Sequence, residues 1–124
     1  MALNRALRLR KSSEFQQVRQ QGRSITSRLL ILAWIPNEVA KLRVGFVVSK
    51  RISKLAVERN RVKRLLGEAI RPSLPELSGG WDMVFSAKNQ VSTADFLALQ
   101  KDIVTLLHRA QLLKPEYHKQ DTNC

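Results

Sequence analysis

Cysteine is almost missing from this chain: Cys124, the only one, stands at the end of the sequence and has no partner for an internal disulfide. Histidine is nearly as scarce, with His108 and His118 alone. There is no HExxH, no CxxC and no phosphate-binding glycine loop, which removes the zinc protease, thiol-redox and P-loop readings. Asp82, Asp95 and Asp102 are scattered over a strand start, a helix cap and a helix face, so capping and surface roles suit them better than a Mg²⁺ site. His108 reads as a surface or packing residue and Cys124 as inert. No metal site and no self-sufficient active site emerges. No apolar run approaches the roughly 20 residues that span a bilayer. The N-terminus lacks the apolar core and cleavage site of a signal peptide. No repeat or low-complexity segment is present. These absences point to a cytoplasmic protein with no membrane partner.

Acidic residues are also in short supply: 10 Asp and Glu face 22 Lys and Arg, a net charge of +12. The imbalance is local. Residues 1–28 hold Arg5, Arg8, Arg10, Lys11, Arg19, Arg23 and Arg28 against Glu14 alone. Residues 43–71 hold nine basic groups against Glu58 and Glu68. Elsewhere acids and bases nearly balance, so the excess lies in two blocks, which are expected to meet on one face. Self-repulsion of that size is relieved by a polyanion, and nucleic acid is the leading partner. The 124 residues, 44% hydrophobic, suit one RNA-binding domain over 1–124, monomeric alone, with a basic arm at 1–11 and a frayed tail at 114–124.

The organising stretch is 56–71. On a helical wheel Val62, Leu65, Leu66, Ala69 and Ile70 share an arc of about 140°, a core-facing stripe. Asn60, Lys63, Arg64, Gly67 and Arg71 point the other way. Gly67 in that face costs about 1 kcal/mol relative to Ala. It would let a bulky partner reach the backbone, or it is simply tolerated in a solubilising basic helix; the helix alone leaves both open. Pro72 and Pro75 are expected to close it.

Upstream, Ser13 with Gln16 three residues on predicts a short helix start, Phe15 and Val18 its apolar side, and Gly22 its stop. Leu29 to Ile35 reads as a strand. Leu42 to Ser49 alternates, with Leu42, Val44, Phe46 and Val48 on one face and Arg43, Gly45, Val47 and Ser49 on the other. These two strands are expected to pair antiparallel, with a further short strand open near Gly22–Ser27. Leu74 to Gly80 reads as a linker. Trp81 to Ala87 is a third strand, with Trp81, Met83 and Phe85 on one side. Ser92 to Asp95 looks like a helix start, followed by Phe96, Leu99, Ile103, Leu106 and Ala110 at helical spacing. The class is α+β: one sheet with helices on one face. Phe15 among cations suits base stacking in single-stranded RNA, although the residue taken alone reads rather as a plain core contact. Trp34 and Trp81 read as core or rim aromatics.

Arg43-Val44-Gly45, Ser49-Lys50-Arg51 and Ala56-Val57-Glu58-Arg59-Asn60-Arg61-Val62-Lys63-Arg64 closely resemble the signature of the bacterial ribonuclease P protein subunit. Leu9-Arg10-Lys11 with Glu14-Phe15, Val18 and Gly22 resembles the family's first helix, and Trp81-Asp82-Met83-Val84-Phe85 its last strand. The likeness covers most of 8–110. It implies a two-layer α/β sandwich with a small mixed sheet, in which the central helix joins two parallel strands by a left-handed crossover, against the general rule. It implies a protein that binds a catalytic RNA and the 5′ leader of precursor tRNA, promoting removal of the leader. The RNA carries the chemistry, with Mg²⁺ held mainly by RNA and no cofactor intrinsic to the protein. By the resemblance Arg59, Asn60, Arg61, Lys63 and Arg64, with Lys50, Arg51 and Arg71, contact the catalytic RNA. Phe15, Arg19, Arg10 and Lys11 belong to the leader cleft. The chain departs from the family at Arg19, where a second aromatic is common, at Ser53 in the Ser49–Ala56 connection, and at Gly67, where a basic residue is common. A general RNA-binding or ribosomal module without leader selectivity is the alternative. A protein-only nuclease is a third reading, which the residue inventory opposes.

Overall fold

The computed structural model describes residues 8–9, 11–39, 41–77, 79–88 and 96–112. The elements run α1 (Ser12–Gln21), β1 (Arg23–Thr26), β2 (Leu30–Pro36), β3 (Arg43–Val47), α2 (Ala56–Ile70), a 3-10 helix (Arg71–Glu76), β4 (Trp81–Ala87) and α3 (Phe96–Arg109). Most of the arm with Arg10, the expected helix start at Ser92–Asp95 and the tail at 114–124 lie outside the described residues.

The strands form one mixed sheet in the order β1-β2-β4-β3. β1 pairs antiparallel with β2, which bears out the short strand near 22–27. The expected β2–β3 hairpin does not form. β4 lies between them, antiparallel to β2 and parallel to β3. The reason is written in β4: Met83, Val84 and Phe85 are all fully buried, so both of its faces are covered and it belongs in the interior of the sheet. The link between β3 and β4 is then the crossover through α2.

Side-chain alternation divides the core. Leu30, Leu32, Trp34, Val44, Met83 and Phe85 face α2 and α3, joining Leu66, Ala69, Ile70, Leu99, Ile103, Leu106 and Leu107. Ala33 and Val84 face the other way, packing with Leu9 and Val18 and with the half-buried Phe15. Helices on one face therefore describes α2 and α3. α1 covers the opposite face, because Val18 and Phe15 need an apolar surface and the odd-phase residues of β2 and β4 supply one.

Local differences have local causes. α1 begins one residue before the expected Ser13, capped at Lys11, and the side chain that folds back is Glu14 rather than Gln16. Its Oε1 accepts the Lys11 N–H at 3.0 Å. Gly22 does end α1, but with φ −79 it needs no left-handed backbone. Space is the reason: a Cβ there would lie 2.5 Å from the carbonyl oxygens of Val18 and Trp34. Pro72 and Pro75 end the α-helix at Ile70, yet the chain continues as the 3-10 helix, so the expected linker at 74–80 is partly helical. Phe96, expected on the core stripe of α3, is 38% exposed; it is the first residue of the helix and lies beyond the sheet-facing positions.

Candidate nucleic-acid interface

β3 is an edge strand, and Arg8 and Leu9 run along it. Arg8 bridges Val44 in parallel, and the Leu9 N–H donates to the Val44 carbonyl at 3.1 Å. Around this edge a cavity of about 440 Å³ opens between α1 on one side and α2 on the other. Arg8, Leu9 and Phe15 line it from the first basic block, Asn60, Lys63, Arg64 and Gly67 from the second, and Val44, Gly45 and Phe46 from the strand. The two basic blocks therefore meet at this cavity. No acidic side chain is among its described lining residues.

The α2 contribution follows from helical spacing. Asn60, Lys63, Arg64 and Gly67 stand at i, i+3, i+4 and i+7, a single stripe along the helix. The cation stripe is thus adjacent to the apolar one, and the helix serves core and cavity together. Gly67 is buried, yet it lines the cavity on the same stripe as Lys63 and Arg64. Arg61 is exposed on the far flank and does not line the cavity. Arg59 is half-buried and donates from Nη1 to the Ser53 carbonyl at 2.9 Å, which ties it to the preceding loop. Ser53, in place of the family's usual glycine, also bonds Glu58 through its hydroxyl at 2.6 Å and accepts the Leu55 N–H. Lys50 and Arg51 are exposed in the turn that leads into α2, away from the cavity lining. Arg71 is exposed and lies 3.6 Å from Glu68.

The Phe15 ring lies against the sheet because Gly45 has no side chain: a Cβ at Gly45 would sit 2.6 Å from the Phe15 Cζ. Phe15 is only half-buried, so part of the ring faces the cavity. Lys11 and Arg19 are exposed at the start and near the end of α1, outside the cavity lining. Arg10 lies outside the described residues. Sequence reasoning missed Leu9, Gly45 and Phe46 as cavity residues. A glycine between Val44 and Phe46 in an alternating strand was the available signal for a close approach.

A charged clamp fixes α1 over β3. Arg43 donates to both carboxylate oxygens of Asp82 at 2.8 Å and to Glu14 Oε2 at 2.9 Å. Glu14 thus caps α1 with one oxygen and binds the strand with the other. Asn37 adds a bond to Asp82 Oδ1 at 2.8 Å. The hydrogen bonds that Arg43 donates to Asp82, opposed by desolvation and aided by the charges of Asp82 and Glu14, hold the Arg43 guanidinium above its ordinary pKa, so it stays charged throughout the accessible range. Among the described residues, no group of three or more His, Cys, Asp or Glu side chains is placed to hold a metal ion. Nor is any helix long and apolar enough to cross a membrane.

The sequence profile of the family described as Ribonuclease P matches residues 3–111. The chain belongs to the ribonuclease P protein family. The likeness read from Arg59 to Arg64 is thereby borne out. A ribonuclease P protein component from Chloroflexus aurantiacus is 48% identical over 112 residues, covering 90% of this chain and 82% of the relative. One from Caldanaerobacter subterraneus subsp. tengcongensis is 39% identical over 105 residues, covering 85% and 90%. Among solved structures, the Staphylococcus aureus RNase P protein matches with a TM-score of 0.80 at 25% identity, over 89% of this chain and all of that one. The Thermotoga maritima RNase P protein matches with a TM-score of 0.73 at 25% identity, over 82% and 96%.

Proposed function

We propose that this chain is the RNA-binding protein subunit of ribonuclease P and that it acts in the cytoplasm as a monomer joined to the catalytic RNA. Lys63, Arg64 and Asn60 hold phosphates and sugars of that RNA beside the cavity, with Arg59, Arg61, Lys50, Arg51 and Arg71 extending the contact along and beyond α2. Phe15 stacks a base of the single-stranded 5′ leader, and Arg8, Arg10, Lys11 and Arg19 follow its phosphates. The catalytic RNA would carry the hydrolytic chemistry, with Mg²⁺ held mainly by that RNA. The protein's share is orientation: it holds the leader and the catalytic RNA together so that cleavage proceeds from a positioned complex.

The observation that carries this reading is that one cavity is lined by both Phe15 and the Asn60–Lys63–Arg64 stripe. Leader and catalytic RNA are thereby offered adjoining surfaces. The test is reconstitution with a bacterial ribonuclease P RNA at low Mg²⁺, scoring 5′ processing of precursor tRNA. Rescue of processing is expected, and Phe15→Ala should weaken precursor tRNA more than mature tRNA. Equal weakening of both would remove the leader role. If about six phosphates are neutralised, log affinity for the RNA falls against log salt with a slope near −4 to −5, whereas a slope near zero would defeat the electrostatic basis.

A further inference from the structure

A second cationic cluster stands at the opposite edge of the sheet. β1 is that edge, and β1 and β3 are three strand spacings apart, about 15 Å. Arg23 and Ser24 of β1, with Trp34 of β2 and Arg109 at the end of α3, line a separate depression of about 550 Å³. Just beyond it lies the β1–β2 turn with Arg28, which is exposed.

Arg109 and one more cation, Lys88, are held at this turn by neutral groups. Arg109 Nη1 donates to the Thr26 carbonyl at 3.0 Å, and Lys88 Nζ donates to the next carbonyl, Ser27, at 2.9 Å. A backbone carbonyl takes one of the five donors of a guanidinium, or one of the three of an ammonium, and cancels no charge. Among the described residues the acid bonded into this turn is Asp102 of α3. Its Oδ2 accepts from the Ser27 hydroxyl at 2.8 Å and from the Leu29 N–H at 3.0 Å, so it shapes the turn. Four cations from β1, the turn, the end of β4 and α3 thus face one carboxylate. Lys88 and Arg109 are anchored there by the fold, since the end of β4 and α3 deliver them to the carbonyls of Ser27 and Thr26.

We propose that this β1 edge, through Arg23, Arg28, Lys88 and Arg109, is a second contact surface for the phosphate backbone of RNA, separate from the cavity at β3. It takes from the reading above only that the protein assembles with RNA. An RNA that engages both edges is held across the full width of the sheet, which fixes the rotation of the protein as well as its location.

The test is the pair Arg23→Gln and Arg28→Gln in the full-length chain, since both side chains are exposed. Binding to a bacterial ribonuclease P RNA and, separately, to precursor tRNA is measured across a salt series. With one or both RNAs, affinity should fall about tenfold at low salt and the slope against log salt should shrink by about one to two. The RNA that responds is the one bound there. The loss should add in log units to that of Lys63→Ala. Unchanged affinity for both RNAs, or a loss with an unchanged slope, overturns the proposal. If wild-type protein assembles with RNA and this pair does not matter, the β1 surface fails alone. If wild-type protein does not assemble, the ribonuclease P reading fails with it.

Discussion

Against α2 and α3 the sheet buries Leu30, Leu32, Met83 and Phe85 among helix side chains. Against α1 it buries only Ala33 and Val84, with Leu9 and Val18. One face is a filled core; the other is a thin layer that stops at Phe15 and leaves the cavity beside it. The filled core and the proposed contact with RNA thus fall on different sides of one sheet, and β3, at the edge, belongs to both.

The sharpest way to break this contrast is to truncate one residue on each side. Phe85→Ala should cost about 4 kcal/mol in urea unfolding, the loss for a fully buried aromatic. Val18→Ala should cost roughly half of that or less, because fewer atoms are removed and the layer is thin. Equal losses would mean that the α1 face is as important to the fold as the other.

The clamp comes next. Arg43→Met leaves Asp82 nearly buried with Asn37 as its remaining neutral partner and frees Glu14 from the strand. The cost should be about 2 kcal/mol, between the values for surface and buried pairs, since Arg43 is partly exposed. Phe15 fluorescence is too weak to report on α1, so hydrogen exchange in α1 is the measurement: protection should drop there before it drops in α3. Uniform loss would show that the clamp holds the whole fold rather than one helix.

Gly45→Ala sharpens the contrast at the cavity. The added methyl must displace the Phe15 ring, at a cost of about 1 to 2 kcal/mol. Discrimination between precursor and mature tRNA should fall with it, and a variant that keeps both stability and discrimination would show that the ring position is irrelevant. The smallest effect on stability belongs to Lys63→Ala with Arg64→Ala. Both are exposed, so unfolding should shift by no more than about 0.5 kcal/mol each. Affinity for the catalytic RNA should nevertheless fall about tenfold or more, read by filter binding.

The contrast also explains what the sequence could and could not reveal. α2 was legible almost to the residue, because its apolar stripe and its cations repeat at helical spacing and the two prolines mark its end. Trp81–Ala87 was legible as a strand for the same kind of reason. The pairing partner of that strand was not. Sequential strands separated by a short turn suggest a hairpin, and only the burial of Val84 beside Met83 and Phe85 reveals that β4 must be inserted between β2 and β3. The opposite placement of α1 was hidden likewise, since Ala33 and Val84 form a second apolar face too small to stand out in a period-two pattern. In the site, the cations were visible as charge, but their division was not: Lys63 and Arg64 line the cavity while Arg61 lies on the other flank, a distinction that needs the sheet as a reference. Gly45 and Leu9, quoted within the family motifs, were not read as cavity residues because neither carries a charge or a hydrogen-bonding side chain.

The joint between α1 and β1 is a single residue, Gly22, wedged between two carbonyl oxygens. Such a joint transmits length changes as rotation: one inserted residue turns the preceding helix by about 100° and carries Phe15 off the strand. An insertion at 22 is therefore expected to pull Phe15 away from Gly45 while leaving the register of β1 on β2 intact.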